Sequence, residues 1–538
     1  LTLLFPVGGE VWKTSGTIQW SAWGEGWSGD DKVNLLYSPN DGGDWYAVPG
    51  ASDLSALDSE YEWDLLGIAP GGEYRIRVEY VDDANVADES GAVFTIGGPQ
   101  YFVNDTILVD DIYCTAPGDA GNDGLSANTP KADIQAIVDS YNLEPGDTIF
   151  VDTGTYSLTA NISVGAEDAG TASGLVQFVG VKGKTILDRG APGTSGTHCF
   201  YVSSASYVAI QDMICRNADI GIKYSQGGYG QILGNTVYGC GSAGINISIS
   251  ENSVILGNCI TQTGTGTGVQ IGTYVTFKNN TVLANNANSV QIFKGSGPIF
   301  ENNIILTSGS GNYCMTLNDV DALSLSNFNN FFATNNAHLG MIYNYDVQTL
   351  SDWRAVGGWD VNSISLDPLF ADSGDRDYHL KSTAGRWNPE TSSFVTDEVS
   401  SPCIDMGDPA DRTGNETSPN GGRINQGAYG GTKEASRSTE RSLILGTIGR
   451  LSVLHAYEPI QWTACGTLWQ TGDTVRIEYS ADAGGSWNAI LDAANVSYSS
   501  GIYWWDSRHV PDGLNYRFRV VSNTEPEVTA SRAQNYTV

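Results

Sequence analysis

Between about Ala209 and Asn330 the apolar and polar positions repeat with a period near 23. The phrases Ile210-Gln211-Asp212, Leu233-Gly234-Asn235, Leu256-Gly257-Asn258, Phe277-Lys278-Asn279-Asn280, Phe300-Glu301-Asn302-Asn303 and Phe328-Asn329-Asn330 recur, their last polar residues 23, 23, 22, 23 and 27 apart. One short β-rich unit per repeat predicts a solenoid, because a single coil cannot bury its own apolar face and must stack on the next. In that stack Asn235, Asn258, Asn280 and Asn303 lie above one another about 4.8 Å apart, a structural ladder of amides bonding along the turns. A second register, Ile222, Ile245, Val269 and Val290, recurs at 23, 24 and 21 and points inward. The residues after them, Lys223, Asn246, Gln270 and Gln291, then point outward as one polar row, the candidate glycan-binding row.

At either end the pattern changes to short alternating strands separated by turns, the patterning of a β-sandwich. These two ends are copies of one domain at a constant offset of 442: Ile18-Gln19-Trp20 matches Ile460-Gln461-Trp462, and Tyr61, Trp63 and Asp64 match Tyr503, Trp505 and Asp506. The repeated tryptophans fill the space between two sheets, while Trp23, Trp27 and Trp504 crowd beside them and are assigned to the surface. The domains are therefore 1–98, an immunoglobulin-like sandwich; 99–437, the solenoid with a capping helix over about 132–141; and 438–538, the second sandwich.

The segments flanking the coils, Asp123-Gly124-Leu125-Ser126 with Thr129-Pro130, Ser401-Pro402-Cys403-Ile404-Asp405-Met406-Gly407-Asp408 and Asn420-Gly421-Gly422-Arg423-Ile424-Asn425-Gln426-Gly427, resemble the opening and closing phrases of secreted pectate-lyase-like right-handed β-helix proteins. The end domains resemble the immunoglobulin-like or fibronectin-like modules of secreted bacterial wall and carbohydrate-active proteins. Over residues 100–435 the resemblance implies an all-β fold, a right-handed parallel β-helix between two homologous immunoglobulin-like sandwiches, and an extracellular setting. It implies no single activity, since that superfamily holds polysaccharide lyases, glycoside hydrolases and adhesins.

Composition narrows the partners. Among 538 residues, 27 Lys and Arg face 61 Asp and Glu, and a net charge of -34 repels nucleic acid and anionic membranes. No apolar run is long enough for a membrane helix, and the chain opens on Leu1, which fits an exported protein with its signal peptide removed. Eight scattered cysteines show no zinc spacing and leave disulfides open. Sequons stand at Asn161, Asn246 and Asn415.

Candidate chemistry is sparse. From 201 to 340 the cations are Arg216, Lys223, Lys278 and Lys294, with His338 nearby, and Lys223 with Asp219 and Arg216 forms one trio a lyase could use. Asp360, Asp367, Asp372, Asp375 and Asp377, then Asp408, Asp411 and Glu416, are loop acids that admit calcium without the spacing of a calcium loop. No catalytic residue is assigned and no cofactor is required. The sequence favours an extracellular structural or adhesive rod that self-associates through its end domains into a layer, sheath or filament. The alternative is a polysaccharide-binding protein, or a lyase or hydrolase, using a groove along the helix. The row at Lys223 begins that groove.

Overall fold

The structure is a computed structural model that describes every residue except 13–14, 25, 66–67, 69–70, 173, 248–249, 294–296 and 449–452. The chain forms two compact units, one of Leu1–Tyr156, Ser163–Thr185 and Val202–Gln211, the other of Ser157–Ile162, Ile186–Tyr201 and Asp212–Val538.

In the first unit, alternation in Ser15–Ser21 and Glu60–Asp64 puts Ile18, Trp20 and Trp63 inside a sandwich. Its three-stranded sheet runs Thr2–Phe5, Ser15–Ser21, Glu60–Asp64, and the facing sheet is built on Lys32–Ser38 and Gly71–Tyr80. Trp20 and Trp63 are at most 1% exposed, and each such ring contributes roughly 3 kcal/mol of burial. The Trp20 indole N–H donates to the Ala56 carbonyl. The unit continues into four parallel strands, Gln100–Val103, Thr148–Val151, Val176–Val179 and Val208–Gln211. A short helix, Ile134–Ser140, buries Ile134 and Ile137, and its Asp133 cap accepts from the Ala136 N–H. It is three residues shorter than the pattern predicts.

In the second unit each coil contributes one strand to each of three parallel sheets. The first sheet holds Gln231–Leu233, Val254–Leu256, Thr276–Lys278, Ile299–Glu301 and Leu325–Asn327. The second holds Ile214–Arg216, Thr236–Tyr238, Cys259–Thr263, Thr281–Asn285, Ile304–Ser308 and Asn330–Thr334. The third holds Ile220–Ser225, Ala243–Ile247, Thr267–Ile271, Asn288–Ile292, Tyr313–Leu317 and His338–Ile342, and Tyr345–Val347 closes it antiparallel.

The corner between the first and second sheets explains the sequence phrase. One residue there takes a positive φ (Gly234, Gly257, Asn279, Asn302, Phe328), and the next is the ladder asparagine. Glycine and asparagine recur because they tolerate that backbone at least cost. Each ladder amide reaches the next coil: Asn235, Asn258 and Asn280 donate their backbone N–H to the Oδ1 of Asn258, Asn280 and Asn303 at 2.9 Å. The last rung is Asn329, which accepts from the Asn303 N–H at 3.0 Å. Phe328 occupies the left-handed slot, so the final repeat is offset by one from the position its spacing suggests.

All eight cysteines are buried free thiols. The second sandwich repeats the first: Ser442–Ile448, Tyr457–Cys465 and Ile502–Asp506 form its three-stranded sheet around Ile460, Trp462 and Trp505. Equivalent bonds recur, Tyr61 Oη to the Pro49 carbonyl and Tyr503 Oη to the Leu491 carbonyl.

Candidate functional site

Of the three sheet faces in the second unit, one is apolar and covered. Cys259, Leu283 and Ile304 of the second sheet lie beneath Ile364, Phe370, Tyr378, Leu380 and Ile404 from the chain that follows the coils. The third sheet is polar outside instead. Its register places Ile222, Ile245, Val269, Val290 and Met315 in one column, all fully buried. The next column, Lys223, Asn246, Gln270, Gln291, Thr316 and Met341, faces outward and stays half-exposed. A further column in register starts with Ile220, Ala243 and Thr267, which are buried, and continues with Asn288, Tyr313 and His338, which are half-exposed.

The outward amides are bonded in one direction. Asn246 Nδ2 donates to Gln270 Oε1 at 2.5 Å, and Gln270 Nε2 donates to Gln291 Oε1 at 3.3 Å. The row therefore ends on the Gln291 Nε2 group, which has no partner among the described residues. Asn288 in the adjacent column accepts the Tyr313 N–H on Oδ1 at 2.9 Å and likewise leaves its amide donors unpaired among the described residues.

At the other end Lys223 lies 5.4 Å from the centroid of the Tyr201 ring, a cation–π contact. No carboxylate among the described residues is within ion-pair distance of its ammonium. His198 is buried, its Nδ1 has no partner among the described residues, and burial together with Lys223 holds its pKa below the usual range. The trio suggested by sequence does not assemble. Arg216 points from the second sheet to Asp188 at 2.8 Å and Tyr238 at 3.1 Å, while Asp219 accepts from the Gly196 N–H and the Ser242 hydroxyl. Lys294 lies outside the described residues.

The far end of the face holds a group that sequence spacing did not bring together. His338 Nδ1 is 2.7 Å from Asp346 Oδ1, and the Tyr313 ring meets the imidazole edge-on with centroids 6.1 Å apart. The His338 side chain is 31% exposed. Burial and the nearby Asp346 charge push the Tyr313 phenol above its ordinary pKa. Asp346 comes from the closing strand, whose register sets it opposite Met341, and the same hairpin carries the exposed rings of Tyr343 and Tyr345. Only the chain reversal after His338 could have signalled the pairing.

The loop acids are mostly committed elsewhere. Asp360 is buried and accepts from the Trp353 indole, the Asn329 amide and Ser363. Asp377 holds His379 and Arg386. Glu301, Asp408 and Asp411 bring carboxylate oxygens within 4.8 Å of one another, and the Lys278 ammonium bridges Glu301 at 2.7 Å and Asp411 at 3.2 Å. That cation offsets one of the three carboxylate charges. Trp23 is 80% exposed and Trp504 56%, whereas Trp27 is half-buried: it packs against the sandwich core, edge-on to Tyr80, with its indole N–H on the Trp23 carbonyl. Its counterpart Trp469 makes the same bond to the Cys465 carbonyl.

Residues 180–337 match the family model described as a right handed beta helix region. No curated protein matches the chain. Among solved structures it is similar to the pectate lyase Pel9A, at 14% identity and TM-score 0.35, covering 61% of this chain and 96% of that one. It is also similar to an alginate lyase from Paenibacillus, at 16% identity and TM-score 0.22 over 40% and 94% of the two chains. A third is the catalytic unit of an alpha-1,3-glucanase from Streptomyces thermodiastaticus, at 12% identity and TM-score 0.27 over 59% and 67%. At these identities and scores the structural likenesses carry no argument about activity. The family match and the three-sheet coils agree on the architecture: this chain carries a right-handed parallel β-helix region.

Proposed function

We propose that this protein binds a polysaccharide across the coils on the outer face of its third sheet. The observation that carries the reading is the in-register amide row from Asn246 to Gln291, which ends on donors without a partner among the described residues and has an aromatic ring near each end, Tyr201 and Tyr313. A chain of sugars suits such a surface, because hydroxyls need alternating donors and acceptors at a fixed repeat while sugar C–H faces pack on rings. From Lys223 to Met341 the row spans five coil steps, about 24 Å at the spacing of paired strands. Affinity electrophoresis through gels containing neutral or acidic polysaccharides tests this. Wild type is retarded, and the double variant Gln270→Leu with Gln291→Leu loses at least tenfold in affinity. Equal retardation of both would overturn the reading.

A second reading, self-association through the end domains, is favoured by a difference between the two sandwiches. The outward positions Ser15, Thr17, Glu60 and Glu62 of the first become Tyr457, Pro459, Ile502 and Trp504 in the second. Ile502–Asp506 is an edge strand of its three-stranded sheet. Outward acids on an edge strand discourage pairing with another chain, and the second sandwich has replaced two of them by Ile502 and Trp504. Residues 1–98 hold 17 acids against 4 Lys and Arg, residues 438–538 hold 10 against 7, so contact between two C-terminal sandwiches is the least repulsive.

A further inference from the structure

Arg532 follows the last strand of the C-terminal sandwich, Thr529–Ser531, and its side chain reaches the end of the coils, where it lines a cavity of about 190 Å³ together with Phe331 and Leu339. Its Nε donates to the Leu445 carbonyl at 3.1 Å, while Nη2 is buried and has no hydrogen-bond partner among the described residues. Burial draws the pKa of Arg532 below the ordinary guanidinium value, opposed by the Tyr536 phenol and by no carboxylate among the described residues. A second guanidinium stands near enough to repel it. Burial lowers Arg354 to about 10, with Asp360 pulling the other way and Arg532 adding to the fall. Arg354 spends Nε and Nη2 on the carbonyls of Asp360 and Ser363, both at 2.7 Å, so the free donors belong to Arg532. Two cations therefore share one carboxylate here, in a chain whose net charge is -34.

The rest of the wall is rich in donors. Gln348, Thr349, Ser351, Ser365 and Gln534 bring amides and hydroxyls to the cavity. Ser351 lies in the first turn of the helix Leu350–Gly357, whose leading N–H groups have no partner inside the helix and form the positive end of its dipole. The one acid of that turn, Asp352, caps the helix: its Oδ2 accepts from the Thr349 hydroxyl at 2.7 Å and the Thr349 N–H at 3.2 Å. A buried charge that meets no opposite charge is costly, and an anion beside Arg532 removes that cost.

We infer that this cavity binds a tetrahedral oxyanion, sulfate or phosphate, through the guanidinium of Arg532 and the first helical turn at Ser351. A guanidinium presents parallel N–H groups that match two oxygens of such an ion, and charge-assisted bonds of this kind are about twice as strong as neutral ones. The hydroxyls of Ser351 and Ser365 and the amide of Gln534 serve the remaining oxygens. The volume falls below the roughly 300–1,000 Å³ of sites that enclose larger ligands, which suits a small ion and keeps this site separate from the polar row. Arg532 and Gln534 belong to the C-terminal sandwich, Ser351 and Ser365 to the chain that follows the coils, so the ion ties these two parts of the second unit together.

The test is calorimetric titration of the full chain with sodium sulfate and with sodium phosphate, ionic strength held constant with chloride, alongside thermal melting in the same solutions. Wild type takes up one ion per chain, and its melting temperature climbs with ion concentration, as binding to the folded state alone requires. Arg532→Gln weakens binding by roughly tenfold or more and removes that climb, as loss of a charge-assisted fork requires. Two further variants keep the outcome readable if Arg532→Gln fails to fold: Arg532→Lys retains the charge without the fork and binds several-fold more weakly, and Ser365→Leu fills the cavity, leaves both arginines in place and abolishes binding. Stabilisation by concentrated sulfate through exclusion from the surface is equal in all of them, which separates it from occupancy of the site. Neither heat nor a melting shift with either ion in the wild type, or the same affinity in wild type, Arg532→Gln and Ser365→Leu, would overturn the assignment.

Discussion

Asn280 shows how much one side chain can hold in a coil. Its amide donates to the Ile255 and Lys278 carbonyls at 2.8 and 2.9 Å, and its Oδ1 accepts from the Asn258 N–H. The bonds to Ile255 and from Asn258 are buried and that to Lys278 partly so, and each buried group left unpaired costs about 1–3 kcal/mol. Asn280→Ala therefore lowers unfolding free energy by roughly 3 kcal/mol or more in a urea titration, whereas Asn246→Ala on the outward row costs less than about 1 kcal/mol. Glu416 gives the pH dependence. Burial raises its pKa to about 7, against the backbone N–H groups of Asn425 and Gly431 that favour the charged form, and Oε2 has no partner among the described residues. The folded state thus holds a proton more tightly than the unfolded chain. Stability contributed by this group is full below the unfolded pKa near 4.5, falls as pH rises through 7 and is flat above it. The loss is on the order of 3 kcal/mol. Glu416→Gln removes much of the fall in melting temperature between pH 5 and pH 8; an identical fall in both proteins would show that Glu416 titrates normally.

Elements were legible where a local rule repeats. The period near 23 located the coils, since every corner needs a left-handed residue followed by an amide, and the offset of 442 located the sandwiches through shared core tryptophans. The ladder read from sequence stops at Asn303, and Asn329 extends it by one rung that spacing hides, because Phe328 takes the slot otherwise given to glycine or asparagine. Trp27 read as surface because nothing local shows that its indole N–H turns back to the Trp23 carbonyl. The His338 group was less legible still: the hairpin that brings Asp346 back to His338 carries no motif. At this scale the contrast between the end sandwiches is testable. Trp504→Glu restores the acid that stands at Glu62, so concentration-dependent association in sedimentation velocity weakens in that variant and persists in Trp23→Ser. Unaltered association in Trp504→Glu would place the contact elsewhere.

For the whole molecule, the open question in the sequence was which surface acts. Periodicity established an outward polar row but could not say whether other chain covers it. The coils differ by face: Cys259, Leu283 and Ile304 of the second sheet are buried under the segment from Ile364 to Ala428, while the third sheet keeps its amides half-exposed. Sequence reading weighted the end domains toward assembly, and the bonded direction of the row, which spacing cannot reveal, moves the weight to glycan binding. The most direct measurement is calorimetric titration with size-defined oligosaccharides of a retarding polymer. Affinity that climbs with each added sugar until the chain spans the row of about 24 Å, then levels, is the expected result. An affinity already at its limit for a disaccharide, or unchanged in the Gln270→Leu and Gln291→Leu double variant, would contradict binding across the coils.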